Sequence, residues 1–371
     1  MAYVNKKDPD MIIFVYEQAK ELVYQGHEVY IVTKKTDSSA SYEVKSGIRI
    51  YRQSTNYQML RRIFTLDKKI NFDIFHSHFI DLSTLLGGIA STILNKRLVV
   101  TSHGLDVLTG GFISDIFKRF LFMFPKKVMC VSKNTANLAS RFTSKNKLVL
   151  VYNGVDIDKL KPTKTIKQFK KEKNLDGKII LLSVGALIER KGFDLIINAL
   201  PDVVKKFPNL IYVIVGRGTE FNKLKKLTKY LGISKNVIFY NYFLTDEEIA
   251  NFYNIADIFI LMSRTSKKEI EFGIEGFGIA YIEASFFGVP VIGGKSGGTA
   301  DAVIDGKTGF LITPGNQKEL IDKLLLLLQN KKQRKKMGKA GKEFVLNRRL
   351  WKQNVQKTLK IYKGIMKNNF Q

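Results

Sequence analysis

Short apolar runs rich in β-branched residues alternate with amphipathic stretches of helical spacing along both halves of the chain. The runs span residues 28–33, 73–76, 98–102, 128–131 and 148–151 in the first half, and 179–184, 210–215, 237–240, 258–261 and 289–292 in the second. Such alternation is typical of βαβ units, whose strands pair into parallel sheets. The pattern predicts an α/β chain with two doubly wound, Rossmann-like domains facing a cleft. Chemistry is then expected in the loops that follow the strands.

The length of the chain agrees with two domains, because 371 residues exceed what one ordinary core organises. We predict an N-terminal domain over residues 1–160 and a C-terminal domain over 178–345. Between them, residues 161–177 are lysine-rich and contain Pro162, which indicates an exposed linker with a short helix. Residues 346–371 carry apolar side chains every three or four positions and are expected to form a terminal helix.

Composition excludes several classes of protein. The hydrophobic content of 45% is too high for a disordered chain. The single cysteine, Cys130, excludes a disulfide scaffold and a multi-cysteine zinc site. The first ten residues are polar and unlike a signal peptide, and no apolar run approaches the ~20 residues that span a bilayer. We therefore expect a soluble, cytoplasmic protein.

The charge balance is strongly basic, with 61 Lys and Arg against 33 Asp and Glu and a formal net charge of +28. Residues 329–371 hold 14 of these basic side chains and one acid, Glu343. This segment fits either a solvated face of a docked helix or a surface for anionic lipid, where each basic residue contributes about 1 kcal/mol. Nucleic acid is not expected as a partner, because no RNA-binding, zinc-finger or basic-zipper pattern is present.

Two loops of the second half contain groups that suit a phosphate. Arg190 and Lys191 follow the run 179–184, where a guanidinium and an ammonium could clamp a diphosphate. Gly216 and Gly218 follow the run 210–215 and would let a ligand approach the backbone. Surface charge is the alternative for the first loop, and an ordinary tight turn is the alternative for the second.

A third loop combines two carboxylates with two glycines. Glu275 is followed by Gly276, Phe277 and Gly278, and Glu283 lies in the apolar helix that the glycines introduce. Backbone N–H groups at a helix N-terminus bind anions, and a carboxylate can accept both hydroxyls of a ribose diol. The alternative is that Glu275 merely complements the helix dipole.

The first half has a histidine at the end of an apolar run, in the sequence His103-Gly-Leu-Asp106. The imidazole could bind a sugar hydroxyl or a leaving phosphate, with Asp106 orienting it or contacting substrate. A histidine that only caps a turn is the alternative. His76 and His78 share one face of a strand, but no further ligands lie nearby in sequence, so we expect a structural role and no metal.

Together these residues resemble a retaining nucleotide-sugar glycosyltransferase of glycosyltransferase family 4, with the GT-B fold. Glu275 and Glu283 match the family's E-x7-E motif in the form EGFGIAYIEA, which is similar to that of the phosphatidylinositol mannosyltransferase-like group. Further matches are Lys191-Gly192, His103-Gly-Leu-Asp106, Asn153-Gly-Val-Asp156, Ser296-Gly-Gly298, Asp305-Gly-Lys-Thr-Gly309, and Trp351 with Tyr362 in the terminal helix. In the family this helix crosses back to the first domain. Relatives also open with an apolar strand, so the first strand of the N-terminal domain is expected to be missing here.

The resemblance implies a role for each matching side chain. Glu283 would hold the ribose diol and Glu275 the sugar hydroxyls, both from the C-terminal, nucleotide-sugar-binding domain. Arg190 and Lys191 would neutralise the departing diphosphate. His103 would reach the sugar from the N-terminal, acceptor-side domain. The further binding residues implied are Gly276, Phe277, Gly278, Gly216, Gly218 and Asp106.

The same resemblance implies transfer of a hexose with retention, by front-face attack in which the leaving phosphate takes the acceptor proton. The donor would be of the GDP-mannose, UDP-glucose or UDP-N-acetylglucosamine type, with no metal ion and no further cofactor. We expect a lipid or lipid-linked glycan acceptor and a peripheral position on the inner face of the cell membrane. A soluble sugar acceptor, or a noncatalytic basic binding protein that keeps the fold, are the alternatives.

Overall fold

Strands and helices alternate through the computed structural model, which describes residues 12–36, 39–108, 110–265 and 273–367. The strands are β1 Tyr30–Lys34, β2 Tyr42–Lys45, β3 Ile48–Gln53, β4 Ile74–His78, β5 Arg97–Ser102, β6 Lys127–Cys130, β7 Leu148–Leu150, β8 Ile179–Val184, β9 Leu210–Val215, β10 Val237–Tyr240, β11 Ile258–Leu261, β12 Val291–Gly294 and β13 Gly309–Ile312. The helices are α1 Ile13–Tyr24, α2 Asn56–Ile70, α3 Leu82–Ile93, α4 Phe112–Leu121, α5 Lys133–Ala139, α6 Ile166–Glu172, α7 Phe193–Lys206, α8 Phe221–Tyr230, α9 Asp246–Ile255, α10 Ile279–Phe286, α11 Thr299–Ala302, α12 Gln317–Gln329, α13 Lys331–Arg348 and α14 Trp351–Lys367. None of these helices combines the length and the hydrophobicity that crossing a membrane requires.

The chain divides into two compact units. Unit 1 comprises Met1–Asn153 and Trp351–Gln371, and unit 2 comprises Gly154–Leu350. The divisions thus lie a few residues from the predicted ones, and the predicted linker belongs to unit 2. Its helix α6 buries Phe169, whose ring centroid lies 5.0 Å from that of Phe252 in α9.

Unit 2 is built on a parallel sheet of six strands in the order β10-β9-β8-β11-β12-β13. The strands β8 and β9 are predominantly apolar and almost entirely buried, as expected of a parallel sheet covered on both faces. The chain leaves β8 toward β9 on one side and later returns to β11 on the other. Loops on either side of such a reversal diverge and leave a crevice at the carboxyl ends of the strands.

The described strands of unit 1 form two sheets instead of one. Strands β4, β5, β6 and β7 pair in parallel in that order. Strand β3 pairs in parallel with β1 and antiparallel with β2. The prediction of a missing first strand concerns residues 1–11, which lie outside the described residues.

The terminal helix α14 packs against α1 within unit 1. The amide of Gln18 donates from Nε2 to Oδ1 of Asn354 over 2.7 Å, and Asn354 Nδ2 donates to the carbonyl of Tyr152 over 2.7 Å. Trp351 and Tyr362 are both buried. The apolar spacing of residues 346–371 therefore reflects a docked helix, with its lysines on the solvent side.

Candidate active site

The predicted phosphate-binding and sugar-binding residues of unit 2 lie in loops at one edge of its sheet. Arg190 and Lys191 follow β8, Gly216 and Gly218 follow β9, and Glu275 lies between β11 and α10. These strands are parallel and adjacent in the sheet, so their carboxyl ends share an edge. We call this edge, with its loops, the carboxyl edge.

Three donors converge on one oxygen of Glu275, a residue only 7% exposed. The Oε2 atom accepts from Arg190 Nη1 over 3.0 Å, from Lys191 Nζ over 2.5 Å and from Ser263 Oγ over 3.1 Å. A buried carboxylate requires such partners, because desolvation of an unpaired charge is expensive. The fold thus brings the carboxylate of Glu275 together with Arg190 and Lys191 of a separate loop, in what we call the ion cluster.

Burial by itself would raise the pKa of Glu275, but the neighbouring Lys191 and Arg190 cations lower it to about 2. Burial lowers the pKa of Lys191, opposed by the attraction of Glu275. Glu275 is therefore ionised at neutral pH. It lies beside two basic side chains, so the two loops present more basic than acidic groups to an anion.

The loop that carries Glu275 is fixed by two glycines of the turn Ser296-Gly-Gly298, which we call the SGG turn. A Cβ on Gly297 would lie 2.1 Å from the carbonyl oxygen of Glu275, and one on Gly298 would lie 2.1 Å from that of Gly276. Gly298 also donates its N–H to the Glu275 carbonyl over 2.7 Å. Only glycine allows this approach of two backbones, so the SGG turn holds the Glu275 loop in place.

The loop that carries the two cations is tied to the loop after β11 in a similar way. Gly192 has φ +66°, and a Cβ there would lie 2.0 Å from the carbonyl oxygen of Met262. The N–H of Arg264 donates to the carbonyl of Arg190 over 2.8 Å. The two sides of the ion cluster are therefore held together by backbone contacts as well as by charge.

Helix α10 begins immediately after the Glu275 loop. Gly278 precedes its first residue with φ +95°, a conformation that favours glycine. The side chain of Phe277 is buried, so the ligand contact predicted for this residue would be made by its backbone.

Tyr253 of α9 donates its hydroxyl to Glu283 Oε2 over 2.8 Å. Burial raises the pKa of Glu283 to about 6, although the Tyr253 hydrogen bond lowers it.

Gly216 and Gly218 are required by the packing of two loops. A Cβ on Gly216 would lie 1.8 Å from the carbonyl oxygen of Gly185, and one on Gly218 would lie 2.2 Å from that of Leu187. The strand-Gly-x-Gly pattern thus has a structural cause within the chain itself. Its predicted contact with the nucleotide stays a prediction.

In unit 1, His103 lies one residue beyond the end of β5 and contacts two aromatic rings. Its ring centroid is 4.1 Å from that of Phe14 and 4.7 Å from that of Phe79. His103 Nε2 lies 3.1 Å from Nδ1 of His78, the last residue of β4. Burial lowers the pKa of His103 well below its usual value, and His78 lowers it further. Both rings are therefore neutral at physiological pH.

Asp106 orders the loop on which His103 lies. Its Oδ1 accepts from Ser102 Oγ over 3.1 Å and from the backbone N–H groups of His103 and Gly104 over 3.0 Å and 2.8 Å. Its Oδ2 accepts from the N–H of Ile80 over 2.9 Å. The carboxylate therefore orients the histidine loop, which is one of the two roles that the sequence suggested for it.

His76 makes contacts within the core of unit 1. Its Nδ1 lies 2.6 Å from the hydroxyl of Tyr362, and its Nε2 lies 2.7 Å from Thr101 Oγ1. These two bonds connect β4 to α14 and to β5. Among the described residues, no group of three or more His, Cys, Asp or Glu side chains is arranged to hold a metal ion.

Sequence reasoning missed three side chains that contact the predicted site residues. Ser263 lies two residues after β11, and a lone serine after a strand carries no signal for a contact with Glu275. Tyr253 lies in a helix 30 positions before Glu283 and has no motif of its own. His78 was placed correctly on a strand, but its contact with His103 follows only from the pairing of β4 with β5.

Two protein-family models match the sequence. Glycosyltransferase Family 4 matches residues 13–159, and Glycosyl transferases group 1 matches residues 164–344. The two matches are consecutive, and together they span most of the chain. The chain belongs to glycosyltransferase family 4. It is a glycosyltransferase, as the resemblance of its motifs implied.

Curated relatives match this glycosyltransferase over most of its length. The GDP-mannose-dependent alpha-(1-6)-phosphatidylinositol monomannoside mannosyltransferase of Mycolicibacterium smegmatis is 28% identical over 348 residues, with 90% of this chain and 89% of the relative covered. The N-acetyl-alpha-D-glucosaminyl L-malate synthase of Bacillus anthracis is 24% identical over 346 residues, with 89% and 87% covered. One of these two enzymes is named for a lipid acceptor and the other for L-malate.

A solved structure similar to this glycosyltransferase is that of the sucrose-phosphate synthase from Thermosynechococcus elongatus. The TM-score is 0.80 at 20% sequence identity, with 96% of this chain and 94% of that chain covered. The likeness concerns the fold. The predicted GT-B fold with two Rossmann-like domains is confirmed.

Proposed function

We propose that this glycosyltransferase transfers a hexose, with retention, from a nucleotide-diphosphate sugar to a lipid or lipid-linked glycan acceptor. The observation that carries the proposal is the ion cluster of Arg190, Lys191 and Glu275 at the carboxyl edge. The Nε of Arg190 is buried and has no hydrogen-bond partner among the described residues. Buried donors normally have a partner, so this N–H supports an anionic ligand at the cluster.

Donor binding exchanges the partners of the two cations. The diphosphate accepts from Arg190 and Lys191, which turn away from Glu275 as they do so. Arg190 binds as a fork and Lys191 as a point charge. Glu275 then becomes available to accept from hydroxyls of the sugar. As the glycosidic bond to phosphate breaks, the same two cations stabilise the negative charge that develops on the leaving group.

Glu283 is proposed to accept from both hydroxyls of the ribose. Tyr253 donates to its Oε2, which restrains the rotation of the carboxylate about the last side-chain bond. A bidentate contact with a vicinal diol needs the ionised form, since a protonated carboxyl group has one oxygen that donates. His103 is proposed to bind a hydroxyl of the substrate through its Nδ1.

The lipid acceptor is supported by an exposed apolar face on α4 in unit 1. Phe112 is 82% exposed and Ile113 83% exposed, and Met123, just beyond the helix, is 72% exposed. The exposed cations Arg119 and Lys126 lie on the same segment. Apolar side chains flanked by cations suit the interface of an anionic bilayer, such as the inner face of the cell membrane. The lipid acceptor named for the mycobacterial relative points the same way.

The donor is tested by thermal unfolding of the purified protein with GDP-mannose, UDP-glucose and UDP-N-acetylglucosamine. A saturating donor at 100 times its Kd adds about 2.7 kcal/mol of stability, so the Tm should rise by several degrees with one of the three. Glu283→Gln should abolish that rise, whereas Glu343→Gln, a change on the exposed face of α13, should leave it intact. The absence of a rise with all three sugars would contradict the proposal.

A soluble acceptor is the second candidate, and the relative named for malate supports it. The enzyme is incubated with a donor that carries a radiolabelled sugar, together with a membrane extract or with a dialysed soluble extract. The two candidates differ in where the transferred label is then found. Label that partitions into organic solvent supports the lipid acceptor. Label that stays in the aqueous phase supports the soluble acceptor and overturns the lipid assignment.

A further inference from the structure

Two histidines of unit 1 are joined ring to ring at the end of neighbouring strands. Nδ1 of His78 lies 3.1 Å from Nε2 of His103, a distance at which one nitrogen donates a proton to the other. The rings are nearly parallel, with 20° between their planes. His78 also stacks against His76, with 4.5 Å between the ring centroids. The geometry therefore fixes both the bond between the pair and the plane in which it lies.

The second nitrogen of His103 is buried but unused. His103 is 8% exposed, and its Nδ1 has no hydrogen-bond partner among the described residues. Phe14 stacks on the ring of His103 and Phe79 packs beside it at an angle of 45°, and neither offers a hydrogen bond. A buried polar atom without a partner is rare in folded proteins and needs a cause. A ligand that reaches Nδ1 along the ring plane supplies one.

The bond to His78 determines what Nδ1 of His103 can do. A neutral imidazole has one donor nitrogen and one acceptor nitrogen. If His78 donates to Nε2 of His103, Nδ1 carries the proton and donates to the ligand. If His103 donates through Nε2, its Nδ1 accepts. In both cases the proton shared with His78 sets the tautomer that His103 presents.

We propose that His78 is a positioning residue, which fixes the tautomer and the ring orientation of His103 so that Nδ1 can hydrogen-bond a hydroxyl of the substrate. This inference deepens the proposed function and rests on it. His78 itself does not touch the substrate. Its side chain acts only through the 3.1 Å contact with His103.

The test compares two substitutions at position 78. His78→Phe keeps an aromatic ring between His76 and His103 but removes the nitrogen. His78→Asn places an amide near the position of Nδ1, and this amide can donate or accept. Each variant is assayed for hydrolysis and transfer with the nucleotide sugar that raises the Tm most in the donor screen.

We expect His78→Phe to lower kcat by roughly 10- to 100-fold, the usual effect of misorienting a group that contacts the reacting substrate. The KM for the donor should change little, and His78→Asn should restore kcat to within a few-fold of the unsubstituted enzyme. Histidine nitrogen chemical shifts give a second readout, since His103 should populate one tautomer in the unsubstituted protein and both tautomers in His78→Phe.

Tyr362→Phe is the matched control. It removes the hydroxyl that lies 2.6 Å from His76 Nδ1, so it deletes a buried hydrogen bond of the same histidine cluster without touching His103. It should lower the Tm and leave kcat unchanged. If Tyr362→Phe lowers kcat as much as His78→Phe does, or if His78→Asn is as slow as His78→Phe, the role of His78 is structural and the inference is wrong.

His103→Ala separates this inference from the proposed function. Loss of activity in His103→Ala with full activity in His78→Phe overturns the positioning role and leaves the function standing. Full activity in His103→Ala removes the substrate contact of His103 from the proposed function, and the inference falls with it.

Discussion

Lys191 Nζ lies 2.5 Å from Oε2 of Glu275, the same oxygen that accepts from Arg190. The two cations proposed to bind the donor's diphosphate are therefore paired with a carboxylate when the site holds no ligand. Such pairing lowers the free-energy cost of burying these cations, since an uncompensated buried charge costs several kcal/mol. It also means that Glu275 competes with the diphosphate for the cations.

Substitution of Glu275 should consequently separate binding from transfer. In Glu275→Gln the competing charge is lost, so GDP or UDP should bind as tightly as before or up to about tenfold tighter, because a charge-assisted hydrogen bond contributes about 1.5 kcal/mol or more. Transfer should fall by about 100-fold, since the contact with the sugar is lost as well. Calorimetric titration measures the affinity for GDP or UDP, and steady-state kinetics measures the rate of transfer.

Glu189→Gln, which removes a carboxylate one residue before Arg190, is the control variant in both measurements. Unchanged turnover in Glu275→Gln would contradict the role proposed for it.

Donor affinity should depend on the ionisation of Glu283. Burial raises the pKa of Glu283 to about 6, so the carboxylate proposed to bind the diol is ionised above that pH and becomes protonated below it. The Kd for the donor should therefore rise as pH falls through about 6, by up to about tenfold per unit below the pKa. The intact nucleotide sugar is the ligand to titrate, because a terminal phosphate has its own second pKa at about 6.

Glu283→Gln provides the control for this pH effect. Its donor binding should be weaker and nearly flat between about pH 5 and pH 8, the range in which the carboxylate titrates. A pH profile in Glu283→Gln that parallels that of the unsubstituted enzyme would place the titrating group elsewhere.

Four of the six strands of unit 2 could be predicted closely from the sequence, whereas the run 289–292 is offset by two residues from β12 and β13 was missed. The predicted runs 179–184, 210–215, 237–240 and 258–261 coincide with β8, β9, β10 and β11. Strands buried on both faces are continuous apolar runs, and a run of that kind has clear ends. Periodicity was a weaker guide to β2 and β3, which were missed. The two strands form a hairpin that turns through Ser46 and Gly47, both with positive φ. Strand β2 is half exposed, so its sequence is not a continuous apolar run.

The members of the candidate site could be predicted, but their partners could not. Arg190 and Glu275 were both identified from short motifs, yet they are 85 positions apart and meet only because β8 and β11 are neighbours in the sheet. The contact of Tyr253 with Glu283 depends on how α9 packs beside α10. Contacts of this type arise from tertiary packing, which local sequence patterns do not encode.

The SGG turn is expected to be sensitive to a single methyl group. In Gly298→Ala the added Cβ would lie 2.1 Å from the carbonyl oxygen of Gly276, so the backbone of the Glu275 loop must shift. We expect a loss of about 1–3 kcal/mol of stability, as for other overpacked sites, together with weaker donor binding. Gly364→Ala is the control, because its Cβ meets nothing within 4 Å and alanine favours the helix by up to about 1 kcal/mol. Denaturant unfolding and donor titration measure both effects, and equal stability of the two variants would show that the close approach is not constraining.

The exposed face of α4 should bind anionic membranes. The double substitution of Phe112→Ser and Ile113→Ser removes two side chains that are more than four-fifths exposed, so the fold should be unaffected while an apolar contact with lipid is lost. Because burial of one such side chain contributes about 1.5 kcal/mol or more, co-sedimentation with liposomes of anionic phospholipid should weaken by about tenfold or more. Binding of the unsubstituted protein should also weaken with added salt, as expected when cations such as Arg119 and Lys126 contribute.

The matched control for the α4 face is Tyr24→Ser, at a tyrosine 85% exposed on α1 of the same unit. This variant should sediment with anionic liposomes as the unsubstituted protein does, since an isolated exposed aromatic ring lies outside the α4 face. Equal loss of binding in both variants would indicate that any exposed apolar residue contributes. Equal binding of the unsubstituted protein to neutral and anionic liposomes would exclude the electrostatic part of the interaction, because the cations beside α4 attract only a charged surface.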